Sequence, residues 1–301
     1  MNYTIERMMP TQLREAAKFI AAHNNIKEHH IGYCGQQEQE IFNTLNEDFI
    51  DGEMTSLFVA YQDGKIVALI GLDIDEDCAE VWGPFSIPFN VLLQEELFFE
   101  LLQSYEEIRT FYFFINELNS EQSSFMNHVQ AQQTGRHLIL EATRETLIPS
   151  KKMSCSPYLP IDFEQFEKIH LAAFPNTYYD AQTIVRRLQQ SNEHFLKILK
   201  QGEIVQGYAY FELDLQENEA HIEYIAIDPA YQGTGLGKRL LIEVLTEIFS
   251  FENIPKIVLC VENENDVANA LYFKVGFIKK DTLVSFKLEK NDEKHSTSSY
   301  S

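Results

Sequence analysis

Residues 220–242 read AHIEYIAIDPAYQGTGLGKRLLI. The segment HIEYIAID alternates like a strand, with a two-residue period. Beyond the turn, Leu236, Leu240, Leu241, Val244, Leu245 and Ile248 fall on one helical stripe. Between strand and helix stand Gly233, Gly235 and Gly237, followed at once by Lys238 and Arg239. Glycine is a poor helix residue, and cations sit badly at a helix N-terminus, where the macrodipole is already positive. A strand, a glycine turn and a helix N-terminus in succession make an anion site from backbone N–H groups. Glycines let the main chain approach a pyrophosphate closely and take positive φ. With phosphates bound, Lys238 and Arg239 become countercharges, and both local conflicts are relieved.

Working outward, the second half reads as helices FEQFEKIHLAAF and DAQTIVRRLQQ, a hairpin HFLKILKQGEIVQGYAYFELDL turning at Gln201-Gly202, and the strand and helix above. The strand KIVLCVE, the helix DVANALYFKV and the strand LVSFKLE follow. The first half runs in the same order. A strand YTIERM and helices PTQLREAAKFIAAHNN and EQEIFNTLNEDF precede two strands joined at Asp63-Gly64 and a third, CAEVWGPFS. Then come VLLQEELFFELLQSY, IRTFYFFIN, SEQSSFMNHVQAQ and RHLILEA, alternately helix and strand. FYFFINELNSEQSSFM (111–126) superposes on IVLCVENENDVANALY (257–272) at a constant offset of 146. The shared element order points to a duplication. ETLIPSKKMSCSPYLP reads as a linker, and NDEKHSTSSYS as a disordered tail.

The chain has 301 residues and a net charge of −22, of which residues 1–150 hold −16. Such a surface repels nucleic acid and anionic lipid, so neither is expected as a partner, whereas a cationic substrate is compatible with it. No apolar run approaches the roughly 20 residues that span a bilayer, and the N-terminal stretch lacks the apolar core of a secretory signal. Cys34, Cys78, Cys155 and Cys260 show no metal or disulfide-framework spacing, which fits a cytoplasmic location and no metal.

Gln232-x-x-Gly235-x-Gly237 is neither a Walker loop nor the GxGxxG fingerprint. It resembles the acetyl-CoA loop, Q/R-x-x-G-x-G/A, of the GNAT family of acyl-CoA-dependent N-acyltransferases. Downstream, NDVANALYFKVGF (265–277) resembles the family's N-x-x-A-x-x-L-Y-x-K-x-G-F segment. Asn265, Ala268 and Tyr272 share one helix face, and Gly276 is placed to end the helix. The resemblance covers about residues 160–290. It implies an α/β (α+β) protein of two tandem GNAT-like domains, each a mixed, mostly antiparallel twisted sheet flanked by helices. It also implies acetyl transfer from acetyl-CoA, as co-substrate, to a primary amine (a small amine or a peptide) by direct attack in a ternary complex.

Carried over by position, the edge of Ile225, Ala226 and Ile227 would bind the pantetheine arm. Gln232, Gly233, Thr234, Gly235, Leu236, Gly237 and Lys238 would wrap the pyrophosphate, and Asn265 would touch the cofactor arm. Tyr272 would protonate the departing thiolate, a role open to a neutral phenol. Many family members place a basic glutamate twelve residues before this tyrosine; here that position is Cys260. Alternation puts His221 and Glu223 on one face of the preceding strand, and Glu223, nearer the expected thioester, is the chosen base, with His221 or water as alternatives.

The first half carries FSIPFNVLLQ in place of the glycine loop, and Met126 in place of Tyr272. Pro88 removes an N–H, and a thioether cannot donate a proton. Trp82 is assigned to the core. The expected organisation is therefore a degenerate domain over 1–150, lacking the acetyl-CoA loop, a catalytic domain over 151–290, and the tail over 291–301. A non-catalytic acyl-CoA sensor or scaffold would keep the same fold and loop, and retention of Tyr272 favours the enzyme.

Overall fold

The computed structural model describes residues 3–147, 154–175, 177–215 and 218–290. In chain order the first half forms β1 (Thr4–Arg7), α1 (Leu13–Asn24), α2 (Glu38–Asp48), the short strands β2 (Ile50–Asp51) and β3 (Met54–Thr55), β4 (Leu57–Gln62), β5 (Lys65–Asp75), β6 (Cys78–Ser86), α3 (Val91–Ser104), β7 (Thr110–Asn116), α4 (Ser120–His128) and β8 (Gln132–Thr143). The second forms β9 (Cys155–Pro157), α5 (Phe163–Ala173), α6 (Ala181–Gln190), β10 (His194–Gln201), β11 (Ile204–Asp214), β12 (Glu219–Ile227), α7 (Leu236–Ile248), β13 (Lys256–Glu262), α8 (Asp266–Val275) and β14 (Ile278–Glu289).

Local chemistry accounts for most boundaries. Asp63 and Gly64 take φ of 51° and 72°, the left-handed pair that a two-residue hairpin needs, and Gln62 faces Lys65 across them. The second hairpin turns one residue later than expected. Gln201 already pairs with Ile204, so Gly202 and Glu203 make the turn. The expected linker contains the strand β9, which pairs with β10; its residues 148–153 and the tail 291–301 lie outside the described residues.

Two compact units emerge, and their limits differ from the expected 150/151 division. Among the described residues, the first holds those of 3–137 and 282–290, and the second those of 138–281. The chain thus passes from one unit to the other within β8 and within β14. In the first unit the strand order is β1-β4-β5-β6-β7-β14. Its final strand comes from the far end of the chain, and Leu283–Glu289 pairs antiparallel with Asn116–Thr110. Among the described residues, only β6 and β7 run parallel there, over Cys78↔Thr110 to Glu80↔Tyr112. Phe98 of α3 meets Phe111, Phe113 and Phe125 edge-on, at centroid distances of 5.6, 6.1 and 5.7 Å. Trp82 is buried against Phe49, as expected of a core residue.

The second unit has the order β8-β13-β12-β11-β10-β9. One face packs on α7 through Leu240, Leu241, Val244, Leu245 and Ile248. The other packs on α5 and α6 through Phe166, Ile169, Ala181 and Ile184 against Tyr208, Tyr210 and Tyr224. Each fully buried side chain of this kind contributes about 1.5–3 kcal/mol, which is why the helical stripe of α7 was legible beforehand. Among the described residues no helix is long and apolar enough to cross a membrane.

Candidate active site

The site begins with an irregularity in β12. Tyr224 pairs with Tyr210 and Ile222 with Phe211, so Glu223 is an extra residue, a β-bulge. The bulge reverses the alternation of the strand. Ala220 and Ile222 face the α7 side before it, and Ile225 and Ile227 face that side after it. Tyr224 and Ala226 consequently turn to the α5–α6 side. β12 and β13 are parallel and pair at His221↔Val258, then part. The gap is a cleft of about 600 Å³, lined along β12 by Glu223, Ile225, Ala226 and Ile227. His221 pairs regularly with Glu212 before the bulge and does not line the cleft, whereas Glu223, the bulged residue, does.

The glycine turn closes one end. Asp228 accepts from the Ala230 N–H at 2.8 Å, and Thr234 Oγ1 donates to Tyr231 O at 2.6 Å. Gly233 and Gly235 adopt φ of 75° and 83°, with no atom near where a side chain would start. The glycine requirement is therefore conformational at both positions. Gly235 is the N-cap of α7 and offers no side-chain cap. The first intrahelical bond runs from Arg239 N–H to Gly235 O at 3.2 Å, so the preceding amides of the first turn are left for an anion.

Gln232, Gly233, Leu236 and Gly237 line the cleft, whereas Thr234 and Gly235 are exposed on the loop beside it and Lys238 is exposed on the first turn of α7. Gln232 spends its amide N–H on Ile227 O at 3.0 Å, bracing the loop on the strand end. Arg239 departs from the expected countercharge role. Its Nε donates to Ser154 Oγ at 2.8 Å and to Glu243 Oε1 at 3.2 Å. Glu243, fully buried, was not anticipated, since a glutamate at this position in an amphipathic helix has no distinguishing pattern. Burial disfavours its charge, but hydrogen bonds from Ser154 N–H and hydroxyl and from Cys155 N–H hold its carboxyl down to about 2.

The opposite wall is α8. Asn265 is its N-cap, accepting from Ala268 N–H at 3.1 Å, and Gly276 ends it at φ 110°, where any side chain would collide with Thr146 O. Asn265, Ala268 and Tyr272 all line the cleft, as their shared helix face requires. Tyr272 packs edge-on against Phe277 at 5.4 Å, and burial pushes its phenol up to about 12. Glu223 reaches solvent through the open cleft yet is flanked by protein. That partial desolvation, with the Glu212 carboxylate nearby, raises its carboxyl, and His221 and Arg187 oppose the rise. Cys260 lines the same wall, and burial pushes its thiol up to about 11, which favours the neutral form at neutral pH. Phe174, Glu262 and Val267 also line the cleft and carried no signal in the sequence.

A model of the acetyltransferase (GNAT) family matches residues 163–277, a span that holds β12, the glycine turn and α8. Residues 163–277 are a GNAT-family domain. N-alpha-acetyltransferase RimI of Mycobacterium tuberculosis is 37% identical over 94 residues, which cover 31% of this chain and 56% of that protein. Mycothiol acetyltransferase of Amycolatopsis mediterranei is 36% identical over 70 residues, 23% of each chain. The chain thus spans about half the length, or less, of these curated relatives. A GCN5-related N-acetyltransferase from Sphaerobacter thermophilus superposes with a TM-score of 0.73 at 15% identity, over 95% of both chains. A tandem GNAT protein from the clavulanic acid biosynthesis pathway does so with 0.68 at 12%, over 97% of this chain and 100% of that one. The fold is that of tandem GNAT proteins.

Proposed function

We propose that the second unit transfers an acetyl group from acetyl-CoA to a primary amine by direct attack. The observation that carries this reading is that the uncapped start of α7 and the phenol of Tyr272 open on one cleft, between two parallel strands that part. The main chain of Ile225–Ile227 holds the pantetheine arm, and the first-turn amides with Lys238 hold the pyrophosphate. Asn265 stands beside the arm at the start of α8. The amine nitrogen bonds to the thioester carbonyl carbon and the C–S bond breaks. Glu223 takes the proton lost by the amine. Tyr272, neutral at pH 7, gives its proton to the departing thiolate and recovers one from solvent. The two relatives are named for different acceptors, so the primary amine is the level at which they agree with this reading.

The same reading makes residues 1–150 a copy without cofactor. There the position matching the open cleft is filled. Gln94 donates to Pro84 O at 3.1 Å and to Ser86 Oγ at 3.0 Å, and Gln122 also donates to Pro84 O. A panel of primary amines incubated with the full-length protein and acetyl-CoA, read by release of free thiol, tests the activity. Amine-dependent release is expected. Tight acetyl-CoA binding with no release across peptides, amino acids, polyamines and aminoglycosides would instead favour a sensor.

A further inference from the structure

In the first unit, β7 has a partner for which β13, its counterpart in the second unit, shows no equivalent among the described residues. After Glu80↔Tyr112 the strands β6 and β7 part. Into that gap the chain sends the segment between α1 and α2. Ile31 bridges Ile115 antiparallel, Gly32 N–H donates to Phe114 O at 2.6 Å, and Asn116 N–H donates to His30 O at 3.0 Å. Asn119 Nδ2 adds a bond to His30 O at 3.3 Å, and Ile31 is buried. Gly32 is needed for the approach, since a side chain there would run into Phe114 and Leu283. The first unit thus shows what a gap of this kind accepts: three residues of extended main chain.

The internal repeat places Phe114, Ile115 and Asn116 on Cys260, Val261 and Glu262. In the second unit those three line the cleft. The segment between α5 and α6 is shorter, 174–180 against 25–37, and is tied elsewhere. The Tyr224 hydroxyl oxygen accepts from Thr177 Oγ1 at 2.5 Å and from Tyr179 N–H at 3.2 Å, which keeps this segment by β12. We infer that the edge of β13 at Cys260–Glu262 docks an extended peptide by antiparallel main-chain pairing, and that this peptide carries the amine that is acetylated. The inference rests on the acyl-transfer reading for the second clause only. Strand addition supplies affinity through main-chain bonds, and an edge offering both a carbonyl and an N–H two residues apart suits a peptide. A lone amine fills neither role together. Glu223 and Glu262 on the walls complement the ammonium group, as does the chain's net charge of −22.

The test uses the full-length protein with CoA or acetyl-CoA and three acceptor sets: short peptides with free α-amino and lysine groups, the same peptides N-methylated at successive backbone positions, and single amino-acid amides. Peptides should exceed the amides in kcat/KM by at least tenfold. N-methylation at one backbone position should raise KM about 5- to 10-fold with kcat little changed, as expected for losing one hydrogen bond. Binding of the same peptides to the CoA complex, followed by calorimetry, should fall in parallel. Turnover of amides or polyamines, with peptides neither acetylated nor bound, overturns the peptide assignment and leaves acyl transfer standing. Peptide binding without any acetylation upholds the docking strand and removes its link to transfer. Equal behaviour of methylated and unmethylated peptides at every position overturns the strand pairing.

Discussion

In the proposed transfer, Tyr272 and Glu223 take different proton steps because their surroundings act on them differently. Burial keeps the Tyr272 phenol protonated to about pH 12, so it can donate throughout the physiological range. Tyr272→Phe should slow acyl transfer by about 10- to 10⁴-fold, the usual worth of a general acid, with acetyl-CoA affinity nearly unchanged. Steady-state kinetics alongside calorimetry measures both, and wild-type turnover would reassign the proton to solvent. As the proposed base, Glu223 has to be ionised, and its carboxyl is raised above that of an ordinary carboxylate. The acid limb of kcat/KM should therefore fall as pH drops through a point above about 4.5, and in Glu223→Gln that limb should disappear with the activity. An unchanged limb in the variant excludes Glu223 as the base. The sequence marked Tyr272 through a spaced motif. It left His221 and Glu223 open, because the bulge at Glu223 is set by the register of β11 and β12 and not by either residue.

At the scale of elements, α7 joins the proposed phosphate site to a buried structural anchor on one length of helix. Its first turn faces the cleft uncapped, and Gly235 reaches the required φ of 83° without strain. Gly235→Glu should abolish acetyl-CoA binding, because a carboxylate would stand against the pyrophosphate and a non-glycine residue pays about 1–2 kcal/mol in the left-handed region. Calorimetry showing wild-type affinity in a folded variant would move the phosphate site elsewhere. One turn further on, Glu243 ties the helix to Ser154 and Cys155. Its carboxyl is depressed to about 2, so its stabilisation is complete above the ordinary glutamate value near 4.5 and fades as pH falls toward 2. Glu243→Gln should therefore cost on the order of 3 kcal/mol at neutral pH, with the deficit shrinking below about pH 4. Denaturant melts at pH 7 and pH 3 measure the difference, and a deficit independent of pH would show that packing, not charge, is lost.

For the whole molecule, duplication has produced two parted strand pairs with opposite fates. One is open and bounded by the glycine turn and the Tyr272 phenol. The other is filled by His30–Gly32 and by the side chains of Gln94 and Gln122. Titration of the full-length protein with acetyl-CoA should accordingly give one site per chain, and Gly235→Glu should remove it. A second site surviving in that variant would show that the first unit holds cofactor after all.

Much of this was determined by the sequence alone. The order of helices and strands, the Asp63-Gly64 hairpin, the glycine turn and the face shared by Asn265, Ala268 and Tyr272 all follow from periodicity and from φ requirements, which act over a few residues. Tertiary structure decided what depends on residues far apart in the chain. It placed β14 beside β7, so the compact units divide within strands and not at the proline-rich segment. It drew Arg239 away from the glycine turn, because Glu243 is fully buried and must be neutralised by donors within reach. It also left β13 open where β7 is filled. The length of chain between two helices decides that difference, together with the tyrosine that holds the shorter segment back.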